Sequence, residues 1–146
     1  MRVLRKALRL SAEEWRLAAE GACLSLAAAV GVRVCAPARL ARRLAGLRTS
    51  SSVPLGVPLE RAAALVAFAS SFVPGSTCLT RALALSSLLA RRGIEARVVV
   101  GARRAASGLE AHAWVTTGGR VILGDATHET YAEIARFGDA SPEVAA

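Results

Sequence analysis

The stretch "CLTRALALSSLLARRGIEARVVVG", Cys78 to Gly101, sets the architecture, because the period of its apolar residues changes part-way along. Leu79, Ala82, Leu83, Leu85, Leu88 and Leu89 spread round much of a helical cylinder, the pattern of a central, mostly buried helix. Thr77 or Ser76 can cap its start. Arg91 and Arg92 suit its negative end, and Gly93 suits the left-handed position just beyond. "IEARVVVG" then reads as a strand.

Further on, "AHAWVTTGGRVILGD", Ala111 to Asp125, reads as two strands around a glycine pair. With Gly118 and Gly119 as the central residues of a type I′ turn, Thr117 faces Arg120 and Thr116 faces Val121. The same count brings His112 opposite Asp125 in a non-hydrogen-bonded pair, with Cα atoms about 4.5 Å apart and both side chains on one face. A carboxylate so placed would orient an imidazole for base catalysis. An exposed hairpin with a contact of no consequence fits the residues equally well. A longer loop with a bulge would turn Asp125 to the opposite face. A polar loop is expected over Ala102 to Gly108, and a short helix or strand over Glu129 to Arg136. His128 is a weaker second candidate.

A nucleophile for that histidine is available at Cys78. It falls in the first turn of its helix, where free N–H groups and the helix dipole favour negative charge, as a reacting thiolate requires. A buried packing residue is the ordinary alternative for a lone cysteine. Cys23 and Cys35 read as small hydrophobes of the interior. Three cysteines without a CxxC pair argue against a disulfide framework or a cysteine-rich zinc site, and suit a reducing cytosol. No metal-ligand spacing, phosphate loop or dinucleotide fingerprint occurs, so neither cofactor nor metal is expected.

Upstream, Ser11 and Glu14 form a capping box that opens a helix to about Val34. Its stripe is expected to be Trp15, Ala18, Ala22, Leu26, Ala29 and Val30. After Pro37, "ARLARRLAGL" makes a short basic helix closing near Gly46. Arg48 to Glu60 reads as a linker, and Pro58 starts a further helix over Leu59 to Phe72, broken at Pro74 and Gly75. Of the net charge of +8, residues 1–50 carry +7 (ten basic, three acidic) and residues 51–146 only +1 (nine basic, eight acidic). The basicity is therefore a property of the N-terminal third, which disfavours a broad nucleic-acid surface over the remainder. The uncharged run Gly21 to Val32 is short for a bilayer span, and charges at Glu13, Glu14, Arg16 and Glu20 interrupt any signal-peptide core. A cytoplasmic protein without a transmembrane segment is expected.

"STCLTRALALSSLLARRGIEARVVVGAR", "AHAWV" and "GGRVILGD" together resemble the transglutaminase-like core of lasso-peptide leader peptidases, over roughly Pro58 to Tyr131. The N-terminal "AEGACLSLAAAV" and "APARLARRL" resemble the helical lead-in of the stand-alone form. The resemblance implies an α+β fold with a transglutaminase-like (papain-like) core, a central helix packed on a small antiparallel sheet and N-terminal helices before it. It divides the chain into a basic helical region, 1–50, and a cysteine protease domain, 51–146. It implies a Cys–His–Asp triad at Cys78, His112 and Asp125, acting through a thioester on a lasso precursor peptide. It also implies a separate leader-recognition protein as partner, since the first fifty residues read as helices and not as a winged-helix recognition domain. The lasso cyclase is a further candidate for docking on the basic helices. Thr116 stands where the family commonly has an acidic residue. A transferase using the same thioester, or a non-catalytic basic adaptor, are the competing readings.

Overall fold

The computed structural model describes residues 10–46 and 54–138; the side chains of residues 45, 46 and 125–127 lie outside that description. Among the described residues, four helices precede four strands: α1 (Ala12–Val34), α2 (Pro37–Gly46), α3 (Leu59–Ser70), α4 (Cys78–Ala90), β1 (Arg97–Ala105), β2 (Gly108–Thr117), β3 (Arg120–Leu123) and β4 (Ala132–Phe137). A 3₁₀ segment, Asp125–Thr130, links the last two strands. The strands form one antiparallel sheet in the order β3-β2-β1-β4, an α+β arrangement.

Local chemistry explains most of the boundaries. Ser11 accepts from the Glu14 N–H while Glu14 accepts from the Ser11 N–H, the capping box expected at the head of α1. The Ser11 backbone and Arg61 together hold the Glu14 carboxyl below the usual glutamate value. Thr77 and Thr80 form the equivalent box at the head of α4. At its far end Gly93, at φ +71, lets the chain turn while the Ile94 N–H reaches back to the Leu89 carbonyl. Of the expected linker, Arg48 to Val53 lies outside the described residues.

α4 is the centre of the molecule. Leu83, Leu85, Leu88 and Leu89 are fully buried, each removing side-chain surface worth about 1.5–3 kcal/mol from water. They join Leu17 and Leu24 of α1, Leu40 and Leu44 of α2, Val66 of α3, and Val98, Ala113 and Val115 of the sheet in a single cluster. Both the N-terminal helices and the later elements thus share one core.

The face that α1 buries differs from the expected stripe. Leu17, Ala18, Gly21, Leu24, Ser25, Ala28 and Ala29 face inward, whereas Trp15, Leu26 and Val30 are about half exposed. The helix is apolar nearly all round, so hydropathy does not choose the face; fit does. A Cβ at Gly21 would lie 2.9 Å from a Val66 methyl, and Ser25 hydrogen-bonds Ser70 in the same buried seam. Small residues let α1 approach α3 closely, and Cys23 consequently lies on the exposed side rather than in the interior.

The expected polar loop over Ala102 to Gly108 is mostly strand. β1 and β2 pair from Arg97↔Thr116 to Ala105↔Gly108, leaving a tight turn at Ala106 and Ser107. Arg103 faces Glu110 across this extension and donates to its carboxylate at 2.8 and 2.9 Å, so the polar residues pair with each other and extend the ladder. The Glu129 to Arg136 stretch resolves into the end of the 3₁₀ segment and β4.

Candidate active site

Cys78 is the first residue of α4, half-buried at the edge of the core. The Thr77–Thr80 box satisfies the N–H groups of those two residues. Among the described residues, the N–H groups of Cys78 and Leu79 keep no acceptor and point out of the helix start, as donors for a developing oxyanion must. Arg81 donates to Ser76 at 3.1 Å, and the guanidinium of Arg33 lies over Gly75. The segment leading into Cys78 therefore carries two guanidinium groups.

His112 lies on β2 directly across from Gly101. Its Nε2 is 3.2 Å from the Gly124 carbonyl oxygen. A carbonyl only accepts, so Nε2 carries the proton and donates it, leaving Nδ1 as the lone-pair nitrogen of the neutral ring. The ring packs 5.3 Å from Tyr131 and 6.2 Å from Trp114, and Trp114 in turn lies 5.9 Å from His128. Arg103 lies over the Tyr131 ring, 4.6 Å from its centroid, while bonded to Glu110 and Thr130.

The hairpin register departs from the expected count. Thr117↔Arg120 and Thr116↔Val121 pair as foreseen, but Val115 then pairs with Leu123, a bulge at Ile122. β3 ends there. Gly124 adopts φ +82, and Asp125 opens the 3₁₀ segment instead of standing opposite His112. The cross-strand derivation of a His112–Asp125 pair is thereby overturned, and the Asp125 side chain lies outside the described residues. The Gly124 carbonyl performs the orienting bond that the count had assigned to the carboxylate. Only glycine fits: a Cβ at 124 would lie 3.0 Å from Trp114 and 3.2 Å from His112 Nε2, in a backbone conformation that favours glycine. A glycine interrupting a strand pattern signals a bulge, and that signal was present in the sequence.

The structure brings His112 to the Gly124–Asp125 turn, but it does not hydrogen-bond His112 to Cys78 among the described residues. Ala113 and Val115 point into the core shared with α4, so by alternation His112 and Trp114 occupy the other face of β2. A hollow of about 490 Å³ opens beside the Gly118–Gly119 turn, lined by Glu95, Arg97, Thr116, Thr117 and Arg136; among the described residues, Cys78 and His112 are not in its walls.

A cysteine heading a buried helix and a histidine on an antiparallel sheet stand in an α+β domain. The match to family models makes the assignment: residues 22–136 fit the transglutaminase-like superfamily, and the chain belongs to it. That superfamily commonly comprises cysteine peptidases and transferases. Searches among curated proteins and among solved structures gave no match.

Proposed function

We propose that this protein is a cysteine peptidase that removes the leader from a ribosomally made lasso-peptide precursor. The observation that supports this best is Cys78 itself, at the capped, donor-bearing start of the central helix of a transglutaminase-like domain. Cys78 attacks the scissile carbonyl, and the Cys78 and Leu79 N–H groups receive the oxyanion. His112 takes the thiol proton at Nδ1 and returns it to the leaving amine, forming a thioester that water then hydrolyses. The Gly124 carbonyl holds the imidazole in the tautomer this requires. Among the described residues Cys78 and His112 are not hydrogen-bonded, and His112 lies on the face of β2 turned from α4, so this proton transfer requires a rearrangement of β2 that brings the imidazole to the thiol. The precursor is presented by a separate leader-recognition protein, in the cytoplasm, with the lasso cyclase acting next on the freed core.

The test incubates the full chain with precursor peptide and leader-recognition protein, followed by mass spectrometry. Release of a leader ending in a free carboxylate, lost in Cys78→Ala and His112→Ala, is expected. Equal cleavage by Cys78→Ala would sink the mechanism. An amide formed with an added amine, in place of the acid, would make the protein a transferase through the same thioester.

A further inference from the structure

Among the described residues, the outward side of α1 carries four of the seven exposed large apolar side chains. Trp15, Ala19, Cys23, Leu26, Val30 and Val34 follow one another at helical spacing along it, and all six are exposed. Trp15, Leu26, Val30 and Val34 are 50%, 52%, 54% and 78% exposed. Together they present roughly 400 Å², the size of the largest apolar patch on an ordinary monomer, which is often functional. Between Gly21 and Val32 there is no charged residue. Arg16 stands near one end of the face and Arg33 near the other, both exposed.

We propose that this face of α1 rests on an anionic lipid surface, the helix axis parallel to it. Three observations select that occupant. The inward side of α1 is committed to Val66, Ser70 and the α4 leucines, so the helix cannot cross a bilayer without leaving the fold, although its length and composition would suffice. A second copy is disfavoured by charge. Antiparallel pairing about the middle of the face would oppose the Arg16 end of one copy to the Arg33 end of the other, and would bring together two N-terminal regions of net +7. The exposed side chains between the arginines are aliphatic or sulfur-bearing, offering little to a partner that needs directed hydrogen bonds. An acyl boundary needs none, while arginines at the rim meet lipid phosphates. The basic residues Arg2, Arg5, Lys6 and Arg9 precede the helix in the sequence and add to the same attraction. Because Arg33 lies over Gly75, the bound surface would sit close to the segment leading into Cys78.

The full chain is floated with vesicles of phosphatidylcholine containing phosphatidylglycerol, and with vesicles of phosphatidylcholine alone. Binding to the anionic vesicles is expected, at least tenfold weaker on neutral ones and weakened by high salt. The emission of Trp15 should shift to the blue, since the only other tryptophan, Trp114, is already buried. Leu26→Gln with Val30→Gln should reduce binding at least tenfold with an unchanged circular dichroism spectrum, both sites being exposed. No binding by the folded wild type overturns the proposal. So does binding that survives the double substitution, which would assign the attraction to the basic residues alone. A dimer in sedimentation equilibrium that the double substitution dissolves would give the face to a second copy instead. Peptide cleavage enters none of these readouts.

Discussion

Replacing Gly101 with alanine tests the packing that positions His112. Gly101 stands opposite His112 on β1, where the pairing of β1 with β4 slips by one residue. A Cβ there would lie 2.8 and 2.9 Å from two carbons of the Trp114 ring and 2.9 Å from the Tyr131 Cβ. Carbon atoms rest at about 3.5–4.0 Å, so the methyl group overlaps on two sides by the better part of an ångström. Neither neighbour can yield cheaply: Trp114 is 5% exposed, and a Cβ moves only with its backbone. Overpacking of this kind costs about 1–3 kcal/mol. At about 2 kcal/mol, a domain of this size melts roughly 4–8 °C lower. Thermal unfolding followed by far-ultraviolet circular dichroism measures the loss, and the near-ultraviolet spectrum reports the Trp114 environment directly. Gly118→Ala is the control. That residue has φ +53 and no atom within 4 Å, so it tests backbone strain alone and should leave the tryptophan signal unchanged. A Gly101→Ala protein that melts within about 1 °C of wild type with an unaltered near-ultraviolet spectrum would refute the packing described for this face.

Glu20→Gln leaves the Arg92 guanidinium, 8% exposed, without its carboxylate partner at 2.7 Å; an equilibrium urea titration should show a loss of about 2–4 kcal/mol, part of it recovered by adding Arg92→Met. Thr77→Ala removes the cap of α4 and should cost about 1 kcal/mol of stability. Because the Glu14 carboxyl is held below its ordinary value by Ser11 and Arg61, its contribution to stability is full above about pH 4.3 and is lost as pH falls through the lowered folded-state value. The stability difference between wild type and Glu14→Gln, measured by urea unfolding at stepped pH, should therefore shrink on acidification; a difference that grows would contradict the capping box.

The helix boundaries were legible because their signals are local. Ser11 with Glu14, Thr77 before Cys78, and Gly93 after the arginines each act within one turn of chain. The inward face of α1 was not legible, since hydropathy varies little round that helix and the choice rests on Gly21, Ser25 and Ala28 fitting against another helix. The hairpin was half legible. A glycine pair specifies the turn and its first two pairs, but a bulge at Ile122 depends on where Gly124 must carry its carbonyl, a tertiary requirement. The helix start at Cys78 and the strand position of His112 could be read from the sequence. Tyr131 and Gly101 could not, because they matter only through the rings that meet there.

The strand order β3-β2-β1-β4 also bears on how the chain is made. As the polypeptide is synthesised from its N-terminus, β1, β2 and β3 become available one after another, and each can pair at once with its predecessor. β4 closes the other edge of β1 last, bringing Tyr131 against His112 and over Gly101. Until residues 131–137 join, the free edge of β1 and the ring of Trp114 lack their final cover. A nascent chain thus holds the helix headed by Cys78 before the surroundings of His112 are complete, so that face of the sheet is finished only when the final strand has docked.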